Sequence, residues 1–246
     1  MLMAVATGVW AVWTWAAGHE RDRDRERAKM SALYLKPLLS ACEDLQSRIY
    51  SILELDGLKM LRKRYPDGFY AEETLYLMVR YFGWVWVASR HGPSPYIEDP
   101  VVMRLTSAVN GAFATASSAQ QVGPFNFFHP EQKAMGKLVL TRFHGPYGVE
   151  FDTISSYEFK TRLIEPPLCD SAAVKETLEA LRSTDDAANL PGRLRLIEVQ
   201  NQLVELLAYI EKKEGYTLLN DERKKCGAQT QLGTAASSKP SPVLST

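Results

Sequence analysis

The chain has 246 residues, 46% of them hydrophobic and 24% charged, with 29 basic side chains set against 29 acidic ones. A zero net charge removes the global basic field that nucleic-acid binding draws on, so no nucleic-acid partner is expected. The cysteines Cys42, Cys169 and Cys226 are odd in number and form no CxxC pair, which excludes a disulfide framework and a structural zinc site and agrees with a reducing compartment.

No side chain from Met1 to Gly18 ionises. As a helix such a run would reach about 27 Å, near the hydrocarbon thickness of a bilayer. Trp10, Trp13 and Trp15 crowd its far end, where amphipathic rings prefer the headgroup layer. Arg21, Arg23, Arg25, Arg27 and Lys29 follow, and no basic side chain precedes the run. Orientation follows Lys and Arg rather than net charge. The segment 1–18 is therefore expected to be a transmembrane anchor, with the lipid bilayer as its partner, the N-terminus outside and the body in the cytosol. A cleaved signal peptide would carry positive charge ahead of its apolar core. Alternating signs over residues 19–32 put opposite charges at i,i+3 but like charges at i,i+4, the pattern of a solvated helical stem.

Residues 33–220 predict an all-α bundle of about five to seven helices, by their apolar spacing. Leu35, Leu38, Leu39, Cys42, Leu45, Ile49, Ile52 and Leu53 recur every three or four positions, and Pro37 is expected to kink or break the chain between stem and bundle. A turn follows at Asp67 and Gly68. The stretch "LYLMVRYFGWVWVASR" is apolar nearly all round but contains Arg80 and is too short for a second span, which needs about 20 residues. It reads as the central core helix, with Tyr81, Phe82, Trp84 and Trp86 packed inside.

Asp99 before Pro100 predicts a capped helix start, with Val101, Val102, Leu105, Val109 and Phe113 on one side and small alanines on the others. Pro130 opens a short helix carrying Met135, Leu138 and Leu140, ended by a turn at Gly145, Pro146 and Gly148. Phe125, Phe127 and Phe128 suggest a buried loop or a staple on that helix. Short β pieces at Val139–Phe143 or Val149–Phe151 are conceivable, although no period-two run is long enough to build a sheet. Further helices are expected across "DTISSYEFKTRLIE", after a cap at Asp170, and from Gly192 to Glu214. In the last, Leu196, Val199, Leu203, Leu206 and Ile210 step by three and four over about two heptads, enough to close the bundle but short for a coiled coil. Residues 221–246 turn small and polar and are expected to be a disordered tail carrying Cys226 as a free thiol.

Candidate chemistry concentrates at His129, Glu131 and His144. The His-x-Glu pair is half of the zinc deaminase signature, but "EPPLCDS" lacks the second cysteine that the other half needs. A metal site would require His129 and His144 to converge and a carboxylate, Glu131 or Asp152, to join them. No G-x-S-x-G elbow and no glycine-rich phosphate loop occurs, so no catalytic residue and no cofactor is assigned. The adjacent acids Glu72 and Glu73 fit the start of a helix better than paired acid–base work.

The stretches "LYLMVRYFGWVWVASR" and "HPEQKAMGKLVL", with the N-terminal run and the heptad-like last helix, resemble a loose group of uncharacterised single-span, all-helical membrane proteins. The resemblance implies helical fold and membrane attachment, and transfers no functional residue. The reading is a membrane-anchored, non-catalytic module that binds another protein or itself. One alternative is a metal-dependent enzyme using His129, Glu131 and His144. Another is a lipid-binding helical domain with Trp84 and Trp86 lining an open groove.

Overall fold

The computed structural model describes residues 19–26, 28–92, 99–114, 123–214 and 223–227. The expected anchor at Met1–Gly18 and all of the expected tail except 223–227 lie outside the described residues. Among the described residues the chain is mostly helical, and no helix there is long and apolar enough to cross a membrane.

Residues 19–26 and 28–30 are helical, and this stem does not stop where the bundle starts. A π turn, Ser31–Leu35, carries it into α1 (Lys36–Glu54). The break expected at Pro37 is thereby corrected. A proline inside a helix has no N–H to give and crowds the carbonyl four residues back. The wider turn, in which the Lys36 N–H donates to the Ser31 carbonyl, makes room for the ring without ending the helix. From there α1 buries the predicted stripe, Leu38, Leu39, Cys42, Leu45, Ile49, Ile52 and Leu53.

A left-handed residue, Asp56 (φ 52°), starts a short helix α2 (Gly57–Arg64) that no apolar stripe announces, Leu58 being its one buried side chain with any bulk. The turn expected at Asp67 and Gly68 follows. Gly68 takes φ 81° and begins α3 (Phe69–His91). This is the central helix, packed on α1 and on three later helices, α5, α6 and α7. It runs antiparallel to α1: Arg48 reaches Glu73 and Thr74, while Arg80, further along α3, reaches back to Asp44 and Ser40.

The helix α4 (Pro100–Ala114) starts as its sequence predicts, with Asp99 Oδ1 accepting from the N–H groups of Val101 (2.9 Å) and Val102 (3.3 Å). Next comes α5 (His129–Leu138), which crosses α3 at a point where both helices carry glycine. A Cβ on Gly136 would stand 2.6 Å from the Gly83 nitrogen, so the two backbones touch there.

After α5 the chain forms an antiparallel hairpin, β1 (Leu140–Gly145) and β2 (Gly148–Thr153), with Arg142 opposite Phe151 and His144 opposite Val149. The helical expectation holds for the bundle, the hairpin lies where short β pieces were conceivable, and Leu140 belongs to a strand rather than to the preceding helix. The turn at Gly145, Pro146 and Gly148 is where it was expected. Each strand has six residues and faces solvent along much of its length, too little for alternation to stand out. The hairpin is held by its neighbours instead: Ile154 N–H donates to the Val139 carbonyl, and the Phe151 ring lies 4.8 Å from that of His91 at the end of α3.

Two shorter helices follow, α6 (Ser156–Arg162) and α7 (Ala172–Ser183), capped by Ser155 and Ser171. Ser171 takes the capping role expected of Asp170. A single 3₁₀ turn, Ala187–Asn189, leads to α8 (Arg193–Glu214), which packs between α4 and α1 and buries Leu196, Val199, Leu203, Leu206 and Ile210. Finally, residues 223–227, within the expected tail, lie on the bundle. Cys226 is the free thiol expected, but it is buried.

Candidate functional site

His129, Glu131 and His144 are not brought together as a site. His129 is the exposed first residue of α5 and His144 stands exposed on β1, beyond the other end of that helix. The Glu131 carboxylate is committed to its own helix start, where it accepts from the Phe128 N–H at 2.9 Å. Asp152 is exposed and accepts from the Thr153 N–H. Among the described residues no three His, Cys, Asp or Glu side chains are grouped so as to hold a metal ion.

The aromatic residues of α3 are spent on packing. Tyr81, Phe82 and Trp84 are buried, and Phe82 meets Phe113 edge-on at 5.1 Å and Phe127 at 5.9 Å. Trp86 is half-buried, with the Lys137 ammonium 4.9 Å above its ring and His91 against its edge. The open groove that a lipid-binding reading requires of Trp84 and Trp86 therefore cannot include Trp84. Phe125 and Phe127 are buried as expected, while Phe128 is 45% exposed.

The loop that carries them is tied to four helices. Phe125 N–H donates to Thr177 on α7, Phe127 N–H donates to the Phe113 carbonyl on α4, Gln132 on α5 donates to the Phe127 carbonyl, and Arg195 on α8 donates to the Pro124 carbonyl. These bonds to the loop's main chain let it lie inside the fold.

Four ionic clusters that sequence reasoning missed join helices distant along the chain. Glu72 pairs with Arg182 (2.8 Å) and Lys160 (3.2 Å). Arg48 pairs with Glu73 at 2.6 Å while its guanidinium lies 4.4 Å above the Tyr70 ring, and Tyr70's acidity is weakened chiefly by burial. Asp99 holds Lys213 and Tyr209 of α8. Arg223 joins Glu43 of α1 to Glu211 of α8. Partners this far apart leave no local signal, and in each cluster the carboxylate already has a cation and donors. Groups so occupied brace helices against one another.

The thiols are equally quiet. Burial pushes the Cys226 thiol up to about 12, with the Glu54 carboxylate adding to the effect, and burial raises Cys42 as well. Both are protonated at neutral pH and poor nucleophiles.

Asp99 yields a prediction. The hydrogen bond from Lys213, followed by those from the α4 backbone and Tyr209, outweighs burial and lowers its carboxyl from the ordinary 3.8 to about 2. A carboxyl lowered by folding stabilises the fold fully above its unfolded value and loses that contribution as pH falls through the folded one. Asp99→Asn should therefore melt below the wild type at pH 7, by about 1 kcal/mol, because asparagine keeps the cap but loses the charge that pairs with half-exposed Lys213. The difference should shrink between pH 4 and pH 2, as read by thermal melts across that range.

No family model, curated protein or solved structure matches the chain. What bears on function is in its own residues: a helical body with internally paired charges, protonated thiols and helical residues 28–30 that run into the core.

Proposed function

We propose that the protein is a membrane-anchored helical module that works by binding, not by catalysis, with Met1–Gly18 as a single anchor and the bundle on the cytosolic side. The observation that carries this reading is the junction between stem and core. Helical residues 28–30 pass through the π turn directly into α1, and the Lys29 ammonium lies 5.4 Å above the ring of Tyr147 at the tip of the hairpin. Bracing residues 28–30 in this way fits a stem that fixes how the body is held. A flexible tether would need neither contact.

The binding half of the reading rests on how the polar residues are spent. Glu72, Asp99, Glu131 and Arg48 each serve a cap or a pair that fixes helices to one another, which favours a rigid body offering its surface over a site that moves protons.

Fractionation of cells expressing the full chain tests the anchor. The chain is expected in the membrane pellet after alkaline carbonate extraction, and a chain lacking residues 1–18 in the supernatant. Release of the full chain by carbonate would overturn the anchor.

A further inference from the structure

The segment Arg223–Gly227 is seated on the cleft between α1 and α8 as a bound peptide would be. At one end the Arg223 guanidinium, its side chain 4% exposed, donates to Gln46 Oε1 (3.0 Å) and Glu211 Oε1 (2.9 Å) and lies 3.5 Å from Glu43 Oε1. In the middle the Asn201 amide reads the backbone of Cys226 from both sides, accepting from its N–H at 2.9 Å and donating to its carbonyl at 3.2 Å. The Cys226 side chain fills a small buried space beside Glu54. Lys225 pairs with Glu205 at the rim, and Gly227 leaves with φ 80° against Ile197.

We propose that this cleft is a recognition site for an extended, arginine-bearing peptide of a partner protein, filled in cis by the chain's own Arg223–Gly227. The proposal deepens the binding-module reading and rests on it. A charged pocket, a side-chain amide that reads main chain and a small pocket for a buried side chain are what extended-peptide recognition uses: main-chain bonds supply affinity and pockets supply specificity. Among the described residues these contacts with Arg223–Gly227 come from side chains of α1 and α8, so a separate segment of the same chemistry can make them. The cis segment holds the cleft through its high effective concentration, in the mM range for a short link. A partner peptide therefore binds weakly until that segment is loosened.

The test uses the full chain in detergent and a fluorescein-labelled synthetic peptide of residues 221–229, followed by anisotropy. Arg223→Ala loosens the cis segment from the segment's own side and leaves the cleft intact. A second variant, Gly227→Val, does the same through a backbone conformation that valine resists, and serves if the first is poorly folded. Each variant is expected to bind the peptide at least about tenfold more tightly than the wild type does. A peptide carrying alanine in place of Arg223 should not bind. The alkylation rate of Cys226, in chains whose Cys169 is serine, reports opening and should rise about tenfold or more in both variants, since alkylation proceeds through the open population. Three results overturn the proposal: opening without peptide binding, no opening in either variant, or equal binding of the alanine peptide. Loss of the proposal in any of these ways leaves the anchor untouched, because fractionation reads the anchor separately.

Discussion

Replacing Phe127 with alanine is expected to cost about 3–5 kcal/mol of folding stability, the range for truncating a buried aromatic. That lowers the melting temperature by about 6–20 °C in a domain of this size. The ring is fully buried, 5.9 Å from Phe82 and 6.3 Å from Phe113. Its backbone is pinned on both sides, the N–H by the Phe113 carbonyl and the carbonyl by Gln132. The loop therefore cannot collapse into the space left behind, which places the cost toward the upper part of the range. Phe128→Ala, one residue on, removes a ring that is largely solvated and should change stability by less than about 0.5 kcal/mol. Denaturant melts of the two variants check both numbers.

Gly136→Ala is the second large effect, and its sign is the point. Alanine in place of a mid-helix glycine ordinarily stabilises by about 1 kcal/mol through backbone entropy. Here the new methyl would stand 2.6 Å from the Gly83 nitrogen and 2.7 Å from the Phe82 carbonyl carbon. Neither atom can rotate away, so α3 and α5 must separate and loosen the aromatic packing between them. Overpacking of this kind costs about 1–3 kcal/mol, occasionally more, which outweighs the entropic gain. Gly111→Ala in α4 is the control: a Cβ there meets nothing within 4 Å, and the same substitution should leave stability unchanged or raise it. If Gly136→Ala melted with or above the wild type, the close crossing of α3 and α5 would be wrong.

Where apolar spacing was long and regular, the fold could be read in advance. The stripes of α1 and α8 are buried residue for residue, and the Asp99–Pro100 cap lies where the dipeptide put it. Features set by contact across the chain could not be read. The helix α2 has almost no apolar stripe because its charged residues meet other elements, as when Arg62 donates to the Thr184 carbonyl and pairs with Asp185. The hairpin owes its place to His91 and Val139 rather than to its own alternation. The stretch 223–227 reads as tail because it is small and polar, and partners far back along the chain, Glu43, Gln46, Asn201 and Glu211 among them, give those residues a seat.

The candidate site followed the same division. Histidine and glutamate types near residues 129–144 suggested a metal, but convergence depends on the path between them, and α5 stands in that path with Glu131 already used at its start. The ionic clusters that do converge are made of residues unremarkable in their own neighbourhoods. Local chemistry is visible in a sequence; distant partners are not.

On the proposed reading the helical body is held at a membrane on the cytosolic side, and the sidedness of the body can be measured. Cys226 is buried and a poor reporter, so the reporter is a new cysteine at exposed Glu176, in a chain whose three native cysteines are replaced. Intact cells expressing this Glu176→Cys chain are treated with a thiol reagent that cannot cross the bilayer, with and without detergent. Labelling that appears only with detergent, on a chain that stays in the membrane pellet, is the predicted result. Labelling of intact cells would put the body outside and overturn the cytosolic placement.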